Sequence, residues 1–182
     1  MNSMFFVIIT IALIILQPQS ITSLYDKQTG PEIINKACSR SPNKNLCLSV
    51  FKKSNESTIM DLQALAFFAL QEVSANASAT TLRIKTFMDD KTIETPLFDS
   101  LDMCSKTYID AVEQLKDTVN AIVSTAYHDA LTWMNAVIDD IKTCDDAVKG
   151  KPGKGEEISK RNHVVTLLCR NALSVVEVLL EK

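Results

Sequence analysis

The sequence predicts an all-α protein: an antiparallel four-helix bundle with an N-terminal α-helical hairpin and two disulfides. Three observations carry this expectation. Apolar residues recur at alternating steps of three and four through four long segments. Cysteines lie symmetrically about the turns between helices. No strand-like alternation and no long β-branched run appears anywhere in the chain.

The organising stretch is Thr95 to Lys149. Leu97, Leu101, Cys104, Tyr108, Ala111, Leu115, Val119 and Ile122 fall on one face of a helix. Tyr127, Ala130, Met134, Val137, Ile141, Cys144 and Val148 repeat the rhythm in a second helix. A short break at Ser124, Thr125 and Ala126 separates them, and short connections make neighbouring helices antiparallel. Cys104 and Cys144 each stand 20 residues from position 124. Helical rise puts both at the same height, roughly 30 Å from the turn, on facing seams. This geometry predicts a Cys104–Cys144 disulfide, contributing roughly 4 kcal/mol in the chain-entropy model.

The N-terminus supplies the compartment. Phe5 to Leu16 is apolar apart from Thr10, too short to span a bilayer and suited to a secretory h-region. Residues 1–23 read as a signal peptide cleaved after Ser23, although the n-region has no Lys or Arg. An oxidising destination follows, where cysteines pair. No membrane association is expected after cleavage. The mature domain is 24–182, with the hairpin at about 31–53 and the bundle at about 58–181.

Gly30-Pro31-Glu32 reads as a helix start, with proline and an acid in the first turn. That helix ends near Cys38-Ser39. Ser41-Pro42 repeats the signal, and a second short helix runs to about Lys53. Neither helix is long enough to persist alone in water. Cys38 and Cys47 can staple them, a contribution of roughly 2.7 kcal/mol in the same model. Four cysteines allow three connectivities, and the hairpin symmetry favours the two local pairings. Ser54 to Thr58 is a polar link. Asp61 to about Asp90 forms the first long helix, Thr95-Pro96 caps the second, and Glu156 to Leu180 forms the last. Between Lys149 and Gly155 lie three of the four glycines, the clearest loop.

Composition narrows the function. A net charge of −3 lacks the basic stripe of a nucleic-acid binder. The two histidines, His128 and His163, read as helix-end and surface residues. Cys169, the odd cysteine, reads as a buried, inert free thiol, six residues from His163 and off its face. No ExxH pair, CxxC, GxSxG or phosphate loop is present, so no enzyme activity, metal or cofactor is expected. The doublets Asp89-Asp90, Asp139-Asp140 and Asp145-Asp146 read either as a solvated face or as a surface for a basic partner. Trp133, one step off the seam, reads as core edge or contact anchor. Sequons occur at Asn55, in the polar link, and at Asn76, in mid-helix where a glycan has less room.

Four blocks resemble the plant invertase and pectin methylesterase inhibitor family. They are Cys38-x8-Cys47 with Pro42 and Leu46, Leu101-x2-Cys104-x3-Tyr108-x2-Ala111-x3-Leu115, Thr132-Trp133-Met134-Asn135-Ala136 with Thr143-Cys144, and Asn171-Ala172-Leu173. Asn135 replaces the family's usual serine, and Asp145-Asp146-Ala147 lacks its Gly-Phe. The resemblance implies a monomeric, secreted inhibitor of the apoplast, with the vacuole as the alternative. Its protein target would be pectin methylesterase, blocked across its pectin cleft, or acid invertase. Thr143 before the fourth cysteine and Cys169 in the last helix favour the first target. So does the lack of Pro-Lys-Phe near Ser124 to His128. Thr143, Asp139, Asp140 and Trp133 are the expected contacts. With no esterase-like sequence after Lys182, a free inhibitor rather than a pro-region is expected. A small-ligand carrier is a remote alternative, because bundle cores can hold ligands.

Overall fold

A computed structural model describes residues 29–53, 59 and 61–181. The signal segment and the whole polar link from Ser54 to Thr58, Asn55 included, lie outside the described residues. Among the described residues six helices follow in order: α1 (Gly30–Cys38), α2 (Lys44–Phe51), α3 (Leu62–Met88), α4 (Thr95–Val123), α5 (Tyr127–Val148) and α6 (Lys154–Leu179). Each long helix packs on the next and α3 closes the ring against α6, an antiparallel four-helix bundle. Among the described residues there is no strand. Nor is any helix there long and apolar enough to cross a membrane.

The apolar stripes face inward. Leu101, Tyr108, Leu115 and Ile122 of α4 meet Met134, Val137 and Ile141 of α5 in a core that α3 and α6 complete with Leu65, Val73, Ile84, Ile158 and Val175. Cys104 and Cys144 are bonded on the α4–α5 seam at the end far from the turn, with Cα atoms 4.4 Å apart. The turn between these helices is tight because Thr125 takes φ 58° and the Ala126 N–H reaches back to the Ala121 carbonyl at 2.8 Å.

Three helix starts differ from the sequence reading. The second short helix is capped by Asn43, not by Ser41-Pro42: the Asn43 side chain accepts the Leu46 N–H at 3.1 Å. Ser41 instead turns inward, and its hydroxyl donates to Asn171 of α6 at 2.9 Å in a buried contact. Thr95 is the first helical residue rather than the cap, because the Glu94 carbonyl already accepts from Leu97 and Phe98. The last helix begins at Lys154, two residues before Glu156. Gly153 supplies the positive φ of 67° for that entry. A Cβ on Gly155 would approach the Lys151 Cβ to 2.5 Å.

Polar contacts tie the ends. The Cys38–Cys47 disulfide joins α1 to α2. Arg40 pairs with Glu181, so the hairpin is held to α6 by an ion pair as well as by Ser41. At the opposite end Lys154 pairs with Asp90. Arg83 grips Glu157 with two bonds of 2.7 and 2.9 Å and lies 4.1 Å over the Phe87 ring.

Replacing Cys104 and Cys144 together by alanine is expected to lower the unfolding free energy by about 4 kcal/mol. Removing Cys38 and Cys47 is expected to cost about 3 kcal/mol and leave the bundle helical. Urea titration followed by circular dichroism measures both. A loss under 1 kcal/mol for the first pair would show that the seam holds its register without the bridge.

Candidate interaction surface

The strongest asymmetry of the molecule is electrostatic. Residues 95–148, which make α4, α5 and their turn, carry ten Asp and Glu against three lysines, in a chain whose total is only −3. The remainder of the chain is therefore net positive. With apolar residues committed to the seam and core, seven of these ten carboxylates are exposed on the outer faces of the two helices, and Asp102, Asp140 and Asp145 are half-buried. Such a surface attracts and orients a partner with a basic rim.

The expected contact residues separate into two groups on α5. Asp139 and Thr143 lie one turn apart on the exposed face, with the Thr143 hydroxyl donating to the Asp139 carbonyl at 2.9 Å. Trp133 and Asp140, two turns apart, share the flank that leans toward α4. Trp133 is 38% exposed, an aromatic surface held at the edge of the core. Asp140 is half-buried, and its carboxyl is raised above the ordinary value, first by burial and then by Asp110 of α4. The Gln114 amide partly offsets this by hydrogen-bonding the charged form.

The other acidic doublets are partly occupied within the fold. Asp90 accepts from Thr92 and pairs with Lys154, which holds it well below the usual carboxylate range. Asp145 accepts the Ser159 hydroxyl at 2.7 Å, and Asp146 pairs with Lys142. His163 and Asp145 line an open groove of about 650 Å³ between α5 and α6, while His128 is exposed at the start of α5. No three His, Cys, Asp or Glu side chains gather into a metal-holding group among the described residues. Cys169 is a free, buried thiol whose titration burial pushes up to about 12. Asn76 is partly buried on α3, its side-chain amide donating to the Glu72 carbonyl at 2.8 Å.

Among the polar residues of the core that escaped the sequence reading, one joins three helices. Asn162 of α6 is buried, 2.8 Å from the Tyr108 hydroxyl and beside the Cys144 sulfur. With its nitrogen toward Tyr108, the amide also donates to the Ile158 carbonyl and accepts from the Asp145 N–H. It thus joins α4, α5 and α6 at the level of the disulfide. Its signal in the sequence is its period: 158, 162, 165, 169 and 172 form one inward stripe, with an amide standing where an apolar residue is the rule.

This architecture defines a class of protein: a disulfide-clamped helical bundle with an acidic outer face. The comparisons identify the family. The model of the plant invertase/pectin methylesterase inhibitor family matches residues 32–175, and the chain belongs to that family of enzyme inhibitors. It is 24% identical over 147 residues to a pectinesterase inhibitor of Actinidia deliciosa, covering 81% of this chain and 79% of that protein. It is 29% identical over 146 residues to a Platanus orientalis protein carrying an invertase-inhibitor name, covering 79% of this chain and 85% of the relative. The fold matches a crystal structure of a mutant pectin methylesterase inhibitor from Arabidopsis, with a TM-score of 0.71 and 21% identity over 79% of this chain and 95% of that one.

Substituting Asn162 by leucine is expected to lower stability by about 1–3 kcal/mol, because the buried Tyr108 hydroxyl loses its Asn162 partner. The double variant with Tyr108→Phe is expected to recover part of that loss, since both polar ends are then gone. Denaturant unfolding of the three variants measures it, and equal losses in the single and double variants would refute the coupling.

Proposed function

We propose that the protein is secreted into the plant cell wall and there binds and blocks pectin methylesterase. The observation that carries this reading is the concentration of carboxylates on the α4–α5 pair, beside the exposed Trp133, in a member of this inhibitor family. The partner would present a basic rim around its pectin-binding cleft, and the bundle would lie across that cleft. Trp133 supplies a large, rigid apolar contact, while Asp139 and Thr143 supply polar ones on the next face. Asn55 is the proposed glycan acceptor, because Asn76 is engaged with its own helix.

The choice of pectin methylesterase rests on three local features that resemble that branch: Thr143 directly before Cys144, the lone Cys169 in the last helix, and Ser124 to His128 without Pro-Lys-Phe. Invertase inhibition is the second reading, supported by the Platanus relatives, which match at 29% and 27% identity.

One purified sample assayed against both enzymes is expected to inhibit the esterase and leave acid invertase active; the reverse pattern would transfer the protein to the other branch. Trp133→Ala is expected to weaken binding about tenfold or more, as for a central aromatic anchor. Affinity measured by calorimetry is expected to fall as ionic strength rises, because exposed charges are screened. A flat response to salt would remove charge complementarity as the basis of docking.

A further inference from the structure

The open groove of about 650 Å³ between α5 and α6 has the opposite electrostatic character to the acidic face. Its α6 wall is the stripe Ser159, His163, Thr166 and Arg170, in steps of four, three and four. Helical rise stretches that stripe over about 16 Å. Lys142 of α5 lines the opposite wall, and Lys160 of α6 adds a further ammonium. The two helices run antiparallel and meet at Cys144 and Asn162, so Lys142 stands level with His163 and Thr166, while Arg170 lies farther along.

The single acid of the groove is Asp145, at one end, where its carboxylate already accepts the Ser159 hydroxyl at 2.7 Å. Arg170 and His163 make no ion pair among the described residues. Lys142 and Lys160 pair with Asp146 and Glu156, each one turn away and outside the groove. Exposed pairs of this kind contribute little, so an incoming anion displaces those acids at small cost. The net charge of −3 does not oppose this, because the potential in a groove is set by the charges that line it.

The spacing of the cations selects the ligand. Cations that converge on one point suit a single phosphate or sulfate, whereas these are spread along and across a helix pair. Among them stand groups that hydrogen-bond sugar hydroxyls: the Thr166 hydroxyl, the His163 imidazole and the Asp145 carboxylate. A chain that repeats a carboxylate and several hydroxyls matches both features.

We propose that the α5–α6 groove binds an acidic polysaccharide, a chain of uronate sugars, with Arg170 and Lys142 holding its carboxylates. That this chain is de-esterified pectin rests on the reading of the protein as a pectin methylesterase inhibitor of the cell wall. Hydrolysis of each methyl ester by that enzyme releases methanol and a proton and leaves one carboxylate on the chain. The groove thereby holds the inhibitor on wall polymer that its target has already processed, and leaves the α4–α5 face open to the enzyme.

Titration of the unsubstituted protein with a short galacturonate oligomer, followed by amide NMR, tests the proposal with no enzyme present. Shifts are expected along residues 138–145 and 159–170, and shifts confined to other helices would overturn it. The fully methyl-esterified oligomer has no charge and is expected to bind about tenfold more weakly or worse; equal binding of the two would exclude recognition of carboxylates. Arg170→Ala is expected to weaken oligomer binding about tenfold, the worth of one charge-assisted hydrogen bond. Lys85→Ala removes the same charge from the α3–α4 groove on the opposite side of the bundle and is expected to leave binding unchanged. An equal loss in both variants would mean diffuse attraction and no site. Inorganic sulfate that shifts the same amides as tightly as the oligomer would reduce the groove to a single-anion site and likewise overturn the proposal. Enzyme inhibition by R170A is expected to match that of the unsubstituted protein, so saccharide binding and the choice of target enzyme fail separately.

Discussion

The bond between Cys104 and Cys144 sets the register on which the remaining structure depends. A left-handed residue at Thr125 turns the chain between α4 and α5, but a turn alone fixes only one end of a long helical pair. The disulfide fixes the pair again about 30 Å away, so α4 and α5 can neither slide nor splay. Asn162 extends that constraint to α6 by reaching both the Tyr108 hydroxyl and the Cys144 sulfur. Three of the four long helices therefore meet at one level, through one covalent bond and one buried amide.

Rigidity of this kind suits a protein that acts by occupying another protein's surface. Little ordering remains to be done on binding when the helices are already locked. The distribution of charge follows the same division of labour. Most carboxylates of α4 and α5 are exposed and outnumber the three lysines that pair with them, whereas at the bundle ends Asp90 pairs with Lys154 and Glu157 with Arg83. Those pairs tie α6 to α3 and to the turn that follows it, and leave the central pair as the side with unmatched negative charge.

Much of the fold was legible because helical amphipathicity is a one-dimensional signal. The inward stripes of α3 to α6, the break at Ser124 to Ala126 and the glycine loop after Val148 all follow from residue period and turn chemistry. Helix starts were legible less well. Asn43 caps α2 because Ser41 is drawn away to Asn171, 130 residues distant in sequence, and no local pattern reports such a competitor. The Asn-Ala-Leu block around Asn171 was visible as a motif, yet its physical role, accepting the Ser41 hydroxyl from the hairpin, belongs to the packed molecule.

By itself the sequence determined the helical class, the four long segments, the pairing of cysteines across short turns and the family to which the chain belongs, because each depends on spacing along one chain. Tertiary structure alone decided how Asn162 reads three helices at once, why Asp139 and Asp140 behave differently though adjacent, and where unmatched charge accumulates. Those properties depend on what stands opposite a side chain in space. A neighbour such as Gln114 or Asp110 is brought to Asp140 only when α4 and α5 fold back on each other.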